Sequence, residues 1–391
     1  MIPRFSINLS IFELFKILFY TNTVNDFEKK FASFFKLKNP ISFSYGRSAI
    51  FCFLKSMGIK NKNIIMPSYT CSVVAHAVTK SGNRPLFVDV EKDTFNFDVK
   101  KLNKIITQET GCIILTNTFG IAQDVKKTIK IIKKKEKKFK SKIYLIQDCC
   151  HSFDAKFKNE KIINYGDMVL FSFNISKTIT SIFGSIATFK NIEIYKKIKN
   201  YRNKNFRKKN IIEICKRYLY IFLASIFMDK NLYFLTYFLQ NKTKLLNSLT
   251  DKYHMEEKVT FPPDYDTRLC NLEAKVGLFQ LSKYKTIRKQ KIENSKYYTN
   301  VLKNFVSIKI PKFNYDSTYS HYPVVVKNKK KILKSFEKIG FELGEVIQYS
   351  IPNFKCYKSK QKYPNANFLS RHVINIPNHI KIPRKYLELL R

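Results

Sequence analysis

The 391-residue sequence has no tryptophan, ten glycines and only twelve prolines. Disordered and low-complexity chains are rich in glycine, proline and small polar residues, so that class is excluded. Cysteines stand at 52, 71, 112, 149, 150, 215, 270 and 356, and no two are spaced Cys-x-x-Cys. Most interrupt apolar runs, which predicts reduced, buried thiols in a cytoplasmic protein and argues against a disulfide or zinc framework. The six histidines show no ligand spacing either, so no metal is expected. Long hydrophobic runs are also missing. YLYIFLASIFM (218–228) and LYFLTYFL (232–239) are broken by Asp229, Lys230 and Asn231. Each falls short of the roughly 20 residues of a spanning helix, and together they predict a helical hairpin. The N-terminal MIPRFSINLSIFELFKILFY lacks a basic start, a long apolar centre and a small-residue cleavage site, so it reads as an amphipathic lead-in and not as a signal peptide.

Acidic residues are scarce. Twenty-nine Asp and Glu face 72 Lys and Arg, a formal charge of +43. Such a charge fits a polyanionic partner, whether nucleic acid, an anionic membrane or a phosphorylated substrate. It also fits compositional drift, because Lys, Asn, Ile, Phe and Tyr are abundant together and the lysines are spread over the whole chain. Runs such as KKKEKKFKSK (133–142) then read as solvated helix faces. No zinc pattern, RNP-like motif or helix-turn-helix accompanies the charge, so no nucleic-acid partner is expected.

Between residues 44 and 190 helical and strand-like stretches alternate. NIIMPSY (63–69), PLFVDV (85–90), GCIILTNTFG (111–120), IYLIQDCC (143–150) and MVLFSF (168–173) are continuous apolar runs, as strands buried on both faces require. SAIFCFLKSMGI (48–59) and VVAHAVTKSG (73–82) have helical spacing, and 125–142 would be a crossover helix. This is an α/β pattern with a large, mostly parallel sheet flanked by helices. Residues 1–250 are expected to form that large domain, with an apolar helical insertion at about 211–240. Residues 251–391 are expected to form a smaller α+β domain with a long helix over 269–305, a strand at 322–326 and a helix at 330–341.

In such sheets ligands bind beyond the carboxyl ends of the strands. Asp148 follows one apolar run, with His151 close behind it. Ser172 ends another, and Lys177 comes five residues later in FSFNISKTI. Gly46, Arg47 and Ser48 open the first of the helices. Singly these are weak signals. Together they meet the needs of pyridoxal phosphate: an amine for a Schiff base, a carboxylate against the pyridine nitrogen, and helix N-terminal amides with hydroxyls for the phosphate.

At these residues the sequence resembles the DegT/DnrJ/StrS family of pyridoxal phosphate-dependent sugar aminotransferases, within fold type I. The resemblance runs through SYGRSAIFCFLKSMGI, the stretch from IIMPSYTCS to FVDVEKDTFNFD, IQDCCHSFDAKF, GDMVLFSFNISKTIT and DTRLCNLEAKVGLFQLSKY, and so covers nearly the whole chain. It implies that Lys177 is the Schiff-base lysine and general base and that Asp148 pairs with the pyridine nitrogen. It further implies that His151 lies near the phenolic oxygen, and that Ser172 with the Gly46, Arg47 and Ser48 turn holds the phosphate. It implies a homodimer, a nucleotide-linked keto sugar as substrate and glutamate as the usual amino donor. Members that act as dehydratases carry histidine in place of the lysine.

Several positions depart from the family pattern. Cys71 stands where an aromatic residue often stacks on the cofactor, with Tyr69 a candidate to compensate. Phe183 replaces an acidic residue ahead of Gly184 and Ser185. Asp266 replaces an asparagine that reaches the partner's phosphate, and is expected to turn elsewhere, toward Arg268 for example. The basic stretch 195–210 followed by the apolar 218–239 also offers a peripheral contact with an anionic membrane through 195–240. Packing in a dimer interface or over the site is the alternative use of that hairpin, and a catalytically altered sugar-nucleotide binder is the alternative reading of the whole chain.

Overall fold

The computed structural model describes residues 1–242, 258–359 and 361–391, so the expected boundary between residues 250 and 251 lies outside the described residues. The apolar runs form strands as expected: β2 (Asn63–Pro67), β3 (Arg84–Val88), β4 (Thr110–Thr116), β5 (Tyr144–Asp148) and β8 (Met168–Ser172). Four short strands lie between or around them, β1 (Pro40–Phe43), the small hairpin of β6 (Lys156–Phe157) and β7 (Glu160–Lys161), and β9 (Ser185–Thr188). The main sheet has seven strands in the order β1-β9-β8-β5-β4-β2-β3. Strands β3, β2, β4, β5 and β8 pair in parallel, and β9 runs antiparallel between β8 and β1. This is the fold type I aminotransferase architecture.

Successive strand residues enter opposite cores, as the two-residue period of a strand dictates. In β4, Cys112 and Ile114 face one core while Ile113 and Leu115 face the other; in β8, Met168 and Leu170 oppose Val169 and Phe171. The first core is closed by α3 (Gly46–Ser56), α4 (Ser72–Lys80) and α7 (Ile192–Asn205). The second is closed by α2 (Val24–Phe35), α5 (Val99–Ile105), α6 (Val125–Phe139) and the first half of α10 (Asn271–Leu302). In α6 the buried side chains are Val125, Thr128 and Ile132, so its many lysines form the solvated face that its charge predicts. Helix α2 opens with a capping box between Thr23 and Asp26 and buries Phe27, Phe31 and Phe35 at four-residue spacing. Those rings surround Phe171 and Phe173, with Phe31 to Phe171 at 5.0 Å and Phe31 to Phe173 at 5.3 Å. Phe171 and Phe173 are thus packing residues.

The long helix α10 serves two cores. Ala274, Leu278 and Leu281 pack under the main sheet. Ile292, Tyr298 and Leu302 pack with β10 (Tyr322–Val325), β11 (Val373–Ile376) and α11 (Lys329–Lys338). The expected hairpin is present as α8 (Ile211–Phe227) and α9 (Tyr233–Lys242), and α8 packs on α1 (Ile11–Leu18) through Phe222 and Phe15, 6.4 Å apart. No described helix is long and apolar enough to cross a membrane. The C-terminal α12 (Pro364–His372) is tied to the sheet by Asp89, which accepts from the Asn365 and Ala366 amides at 3.1 and 2.9 Å. A carboxylate at a helix start satisfies amides that have no partner within the helix.

Helices α2 and α10 touch at Gly277, where a Cβ would lie 2.5 Å from the Phe27 ring. Gly277→Ala is expected to cost about 1–3 kcal/mol through overpacking, even though alanine is the better helix former. Urea denaturation checks this, and an unchanged or higher midpoint would contradict the close packing.

Candidate active site

The strand register gathers the candidate residues. Asp148, the last residue of β5, pairs with Thr116 at the end of β4 and Leu170 near the end of β8. Ser172 ends β8 and lies opposite Ser185 of β9, which in turn lies opposite Phe43, the last residue of β1. Helix α3 therefore starts beside Ser172. A Cβ on Gly46 would come within 3.5 Å of Ser172 Cβ and 3.7 Å of its Oγ, so glycine keeps a cradle open there.

Asp148 is buried. Its Oδ2 accepts from Thr116 Oγ1 at 3.2 Å and its Oδ1 from the Cys150 amide at 3.1 Å. Both bonds fix the carboxylate at the strand end. His151 Nδ1 accepts the Phe119 amide at 3.2 Å, so in the neutral ring Nε2 carries the hydrogen. Phe119 is held at φ 57° and stacks on His151 with ring centres 6.4 Å apart. Burial first, then the Lys177 ammonium and His321, hold His151 well below the usual histidine range.

Lys177 is half-buried on a loop that both strand ends pin. The Phe173 amide donates to the Gly184 carbonyl at 2.7 Å, and the Ser181 amide donates to the Phe173 carbonyl at 2.9 Å. The Lys177 amide closes its own turn on the Asn174 carbonyl at 2.8 Å. Ile182 takes φ 68° in this loop, a conformation that a β-branched residue adopts only where its surroundings enforce it.

The turn at Gly46 is less uniform than the sequence suggests. Its N-cap is Tyr45, which supplies no capping oxygen, so the first turn is not closed by a side chain. Ser48, by contrast, is engaged internally: its Oγ donates to the Tyr265 carbonyl at 2.6 Å and its amide to the Tyr45 carbonyl at 3.1 Å. Arg47 is buried with its guanidinium 5.9 Å from the Phe261 ring centre. Cys71 is half-buried at the N-cap of α4, next to Ser72, whose amide donates to Tyr349 Oη at 3.0 Å. Tyr69 is fully buried and donates to the Ile347 carbonyl at 3.3 Å, so its hydroxyl anchors the 347–351 segment. Asp266 does not pair with Arg268. That guanidinium donates to the Phe206 and Asn203 carbonyls, and the Asp266 carbonyl accepts the Arg207 amide at 3.0 Å.

Two features have no signal in the sequence. The first is a buried ionic group behind the α3 start: Lys209 to Glu273 at 3.2 Å, Arg217 to Asp264 at 2.7 Å and Arg217 to Glu273 at 3.4 Å. The second is His321, whose ring lies 5.1 Å from that of His151. Residue 321 is far from 151 in the chain, and no local pattern marks it.

The donor set fits pyridoxal phosphate. A carboxylate ends β5, Ser172 ends the neighbouring β8 beside the open start of α3 with the Gly46 cradle between them, and the Lys177 loop follows β8. Lys177 would supply the covalent link, Asp148 the partner of the ring nitrogen, and Gly46 with Ser172 the phosphate contacts.

A family model described as the DegT/DnrJ/EryC1/StrS aminotransferase family matches residues 16–223 and 224–388. The GDP-perosamine synthase of Escherichia coli O157:H7 is 21% identical over 361 residues, covering 91% of this chain and 85% of that protein. The structure of sugar aminotransferase CalS13 from Micromonospora echinospora superposes with a TM-score of 0.77 at 14% identity, covering 100% of this chain and 99% of that one. E. coli GDP-4-keto-6-deoxy-D-mannose-3-dehydratase with bound hydrated PLP superposes with a TM-score of 0.75 at 19% identity, again covering 100% and 99%.

Four histidines are held neutral here. Burial, then Arg47, pushes His76 down to about 4, and burial, then Lys291, pushes His379 down to about 4. His151 and His321 also lie well below the ordinary value. Below pH about 6.5 the unfolded chain takes up protons that the folded chain refuses, so stability falls with pH by about 1.4 kcal/mol per unit for each such group. The urea midpoint is expected to drop between pH 7 and pH 5. A flat midpoint over that range would mean that these rings protonate in place.

Proposed function

This chain belongs to the DegT/DnrJ/EryC1/StrS aminotransferase family, and we propose that it transfers an amino group from glutamate to a nucleotide-linked keto sugar destined for a polysaccharide or another amino-sugar product. Family membership makes it a pyridoxal phosphate-dependent sugar aminotransferase. The finer reading is supported by Asp148 and the Gly46–Ser172 cradle at the carboxyl ends of neighbouring strands, with the Lys177 ammonium near enough to act on the buried His151.

Pyridoxal phosphate, when bound, supplies an electron-accepting ring next to the reacting carbon. The chain's residues do the rest. The Asp148 carboxylate, held by Thr116 and Cys150, would keep a proton on the ring nitrogen. The Lys177 amine would serve as the general base that takes the proton from the donor's α-carbon. His151, with hydrogen on Nε2, would donate toward the ring oxygen without bringing a charge. Lysine at 177 supports amino transfer over dehydration, although a dehydratase is among the structural relatives.

The proposal includes a homodimer in the cytoplasm. Helices α1, α8 and α9 leave Phe12, Phe19, Leu219 and Phe234 exposed, a surface suited to a second copy of the chain. The peripheral-membrane reading uses the same surface. In sedimentation velocity, Phe19→Gln with Phe234→Gln is expected to shift wild-type dimer toward monomer. Loss of binding to anionic liposomes with the dimer unchanged would favour the membrane.

Borohydride is expected to fix the cofactor on the wild type, and Lys177→Ala to abolish both the fixation and the yellow band. Incubation with a panel of nucleotide-linked 3-keto and 4-keto sugars plus glutamate, read by mass spectrometry, is expected to give one aminated sugar. A protein that binds the cofactor without fixation at Lys177, or aminates none of the sugars, would overturn the reading.

A further inference from the structure

Lys291 is a cation that the chemistry above does not use. It projects from the middle of α10, and its Nζ donates to the Ser320 carbonyl at 3.0 Å. Among the described residues no carboxylate lies within ion-pair distance of it. Burial pushes its ammonium down to about 8. A desolvated charge without a counter-ion is costly to keep, and a site that receives an anion is a reason to keep one.

The surroundings of Lys291 lead to the reacting centre. Ser320 is followed by His321, whose Nδ1 is 3.1 Å from Ser320 Oγ. The His321 ring sits beside His151 and feels both Lys291 and Lys177. On the other flank His379 has a buried Nδ1 with no partner, and it too feels Lys291. The segment that carries His321 is pressed onto the site loops. Thr318 donates from its amide to the Gly120 carbonyl and from Oγ1 to the His151 carbonyl, both at 2.9 Å. Gly120 sits at φ 89° where a Cβ would lie 2.5 Å from Thr318 Oγ1, so only glycine admits this approach.

We propose that Lys291 and His321 form the subsite for the α-carboxylate of the amino donor. The inference rests on the transamination reading. The donor's amine must reach the carbon that Lys177 serves, its α-carboxylate is one bond from the carbon that bears that amine, and His321, which feels both lysines, stands beside His151. One ammonium flanked by neutral imidazoles matches a single negative charge. A diphosphate carries more charge than one ammonium balances, and it sits several bonds from any sugar carbon that reacts.

The test uses holoenzyme. Glutarate, an unreactive dicarboxylate, is titrated calorimetrically into wild type, Lys291→Met, Lys291→Arg and His321→Asn, and a nucleoside diphosphate (GDP and dTDP in turn) is titrated in parallel. Lys291→Met is expected to weaken glutarate at least tenfold and to leave the nucleoside diphosphate unchanged, with Lys291→Arg restoring most of the loss. In stopped flow, the apparent Kd for glutamate rises by the same factor, while its limiting rate changes little. If Lys291→Met does not fold, His321→Asn carries the same expectation at several-fold. Equal glutarate affinity in wild type and variants overturns the subsite, as does a loss confined to the nucleoside diphosphate. Glutarate binding stays readable if no keto sugar is ever aminated, so failure of the transamination reading and failure of the subsite are told apart.

Discussion

Glu273 is fully buried, and the cofactor end of the sheet is organised around its neutralisation. It lies in the first turn of α10, where a carboxylate suits the helix dipole, and accepts the Cys270 amide at 3.0 Å. Its two cations arrive from elsewhere, Lys209 from just before α8 and Arg217 from within it. Lys209 also donates to Ser44 Oγ and, at 2.9 Å, to the Arg268 carbonyl. Arg217 reaches Asp264, which accepts Tyr45 Oη at 2.8 Å. Ser44 and Tyr45 immediately precede Gly46. The start of α3 is thus fastened to α8 and α10 through largely buried charges. Loss of one member strands its partner, typically at a cost of about 3–5 kcal/mol, far more than an exposed pair of the same length is worth.

That group also explains Phe183. In the family pattern an acidic residue stands there. Here the Arg217 guanidinium lies 4.4 Å from the Phe183 ring centre and takes its carboxylates from Asp264 and Glu273 instead. The ring offers its negative face to the cation and keeps water off the pair. The hairpin and residue 183 thus meet physically: α8 delivers Arg217, and the Phe183 ring receives it.

What was legible in the sequence follows the range of each interaction. Strands β2, β4, β5 and β8 are buried on both faces, so their apolar runs announce them. Strands β1, β9 and β11 are four residues each, with polar or proline residues inside, and exist because tertiary pairing completes their hydrogen bonds, β1 on β9, β9 also on β8, and β11 on β10. Phe27, Phe31 and Phe35 mark α2 at helical spacing, but their partners Phe171 and Phe173 lie across the chain. Lys177 and Asp148 can be found because each follows a strand at short range. Ser48 had the right position, yet its hydroxyl and amide are taken by Tyr265 and Tyr45. His321 and Lys291 are set by tertiary packing at Gly120 and by the middle of a 32-residue helix, and nothing local distinguishes them.

The excess of positive charge is a poor guide to function until burial sorts it. Most of the 72 basic residues belong to the solvated background, as on α6, where the lysines ring a narrow apolar stripe. Lys209 and Arg217 are out of water, but carboxylates from α10 and its approach segment meet them, so their energy goes into holding the fold. Lys177 and Lys291 differ from both groups. Neither has a carboxylate within ion-pair distance among the described residues, and both face imidazoles that stay neutral in their field. On the proposed reading the two amines act on one small substrate, Lys177 at the reacting carbon and Lys291 at the charge beside it. Environment thus separates Lys177 and Lys291, which have no carboxylate within ion-pair distance among the described residues, from the many lysines that only keep the surface wet.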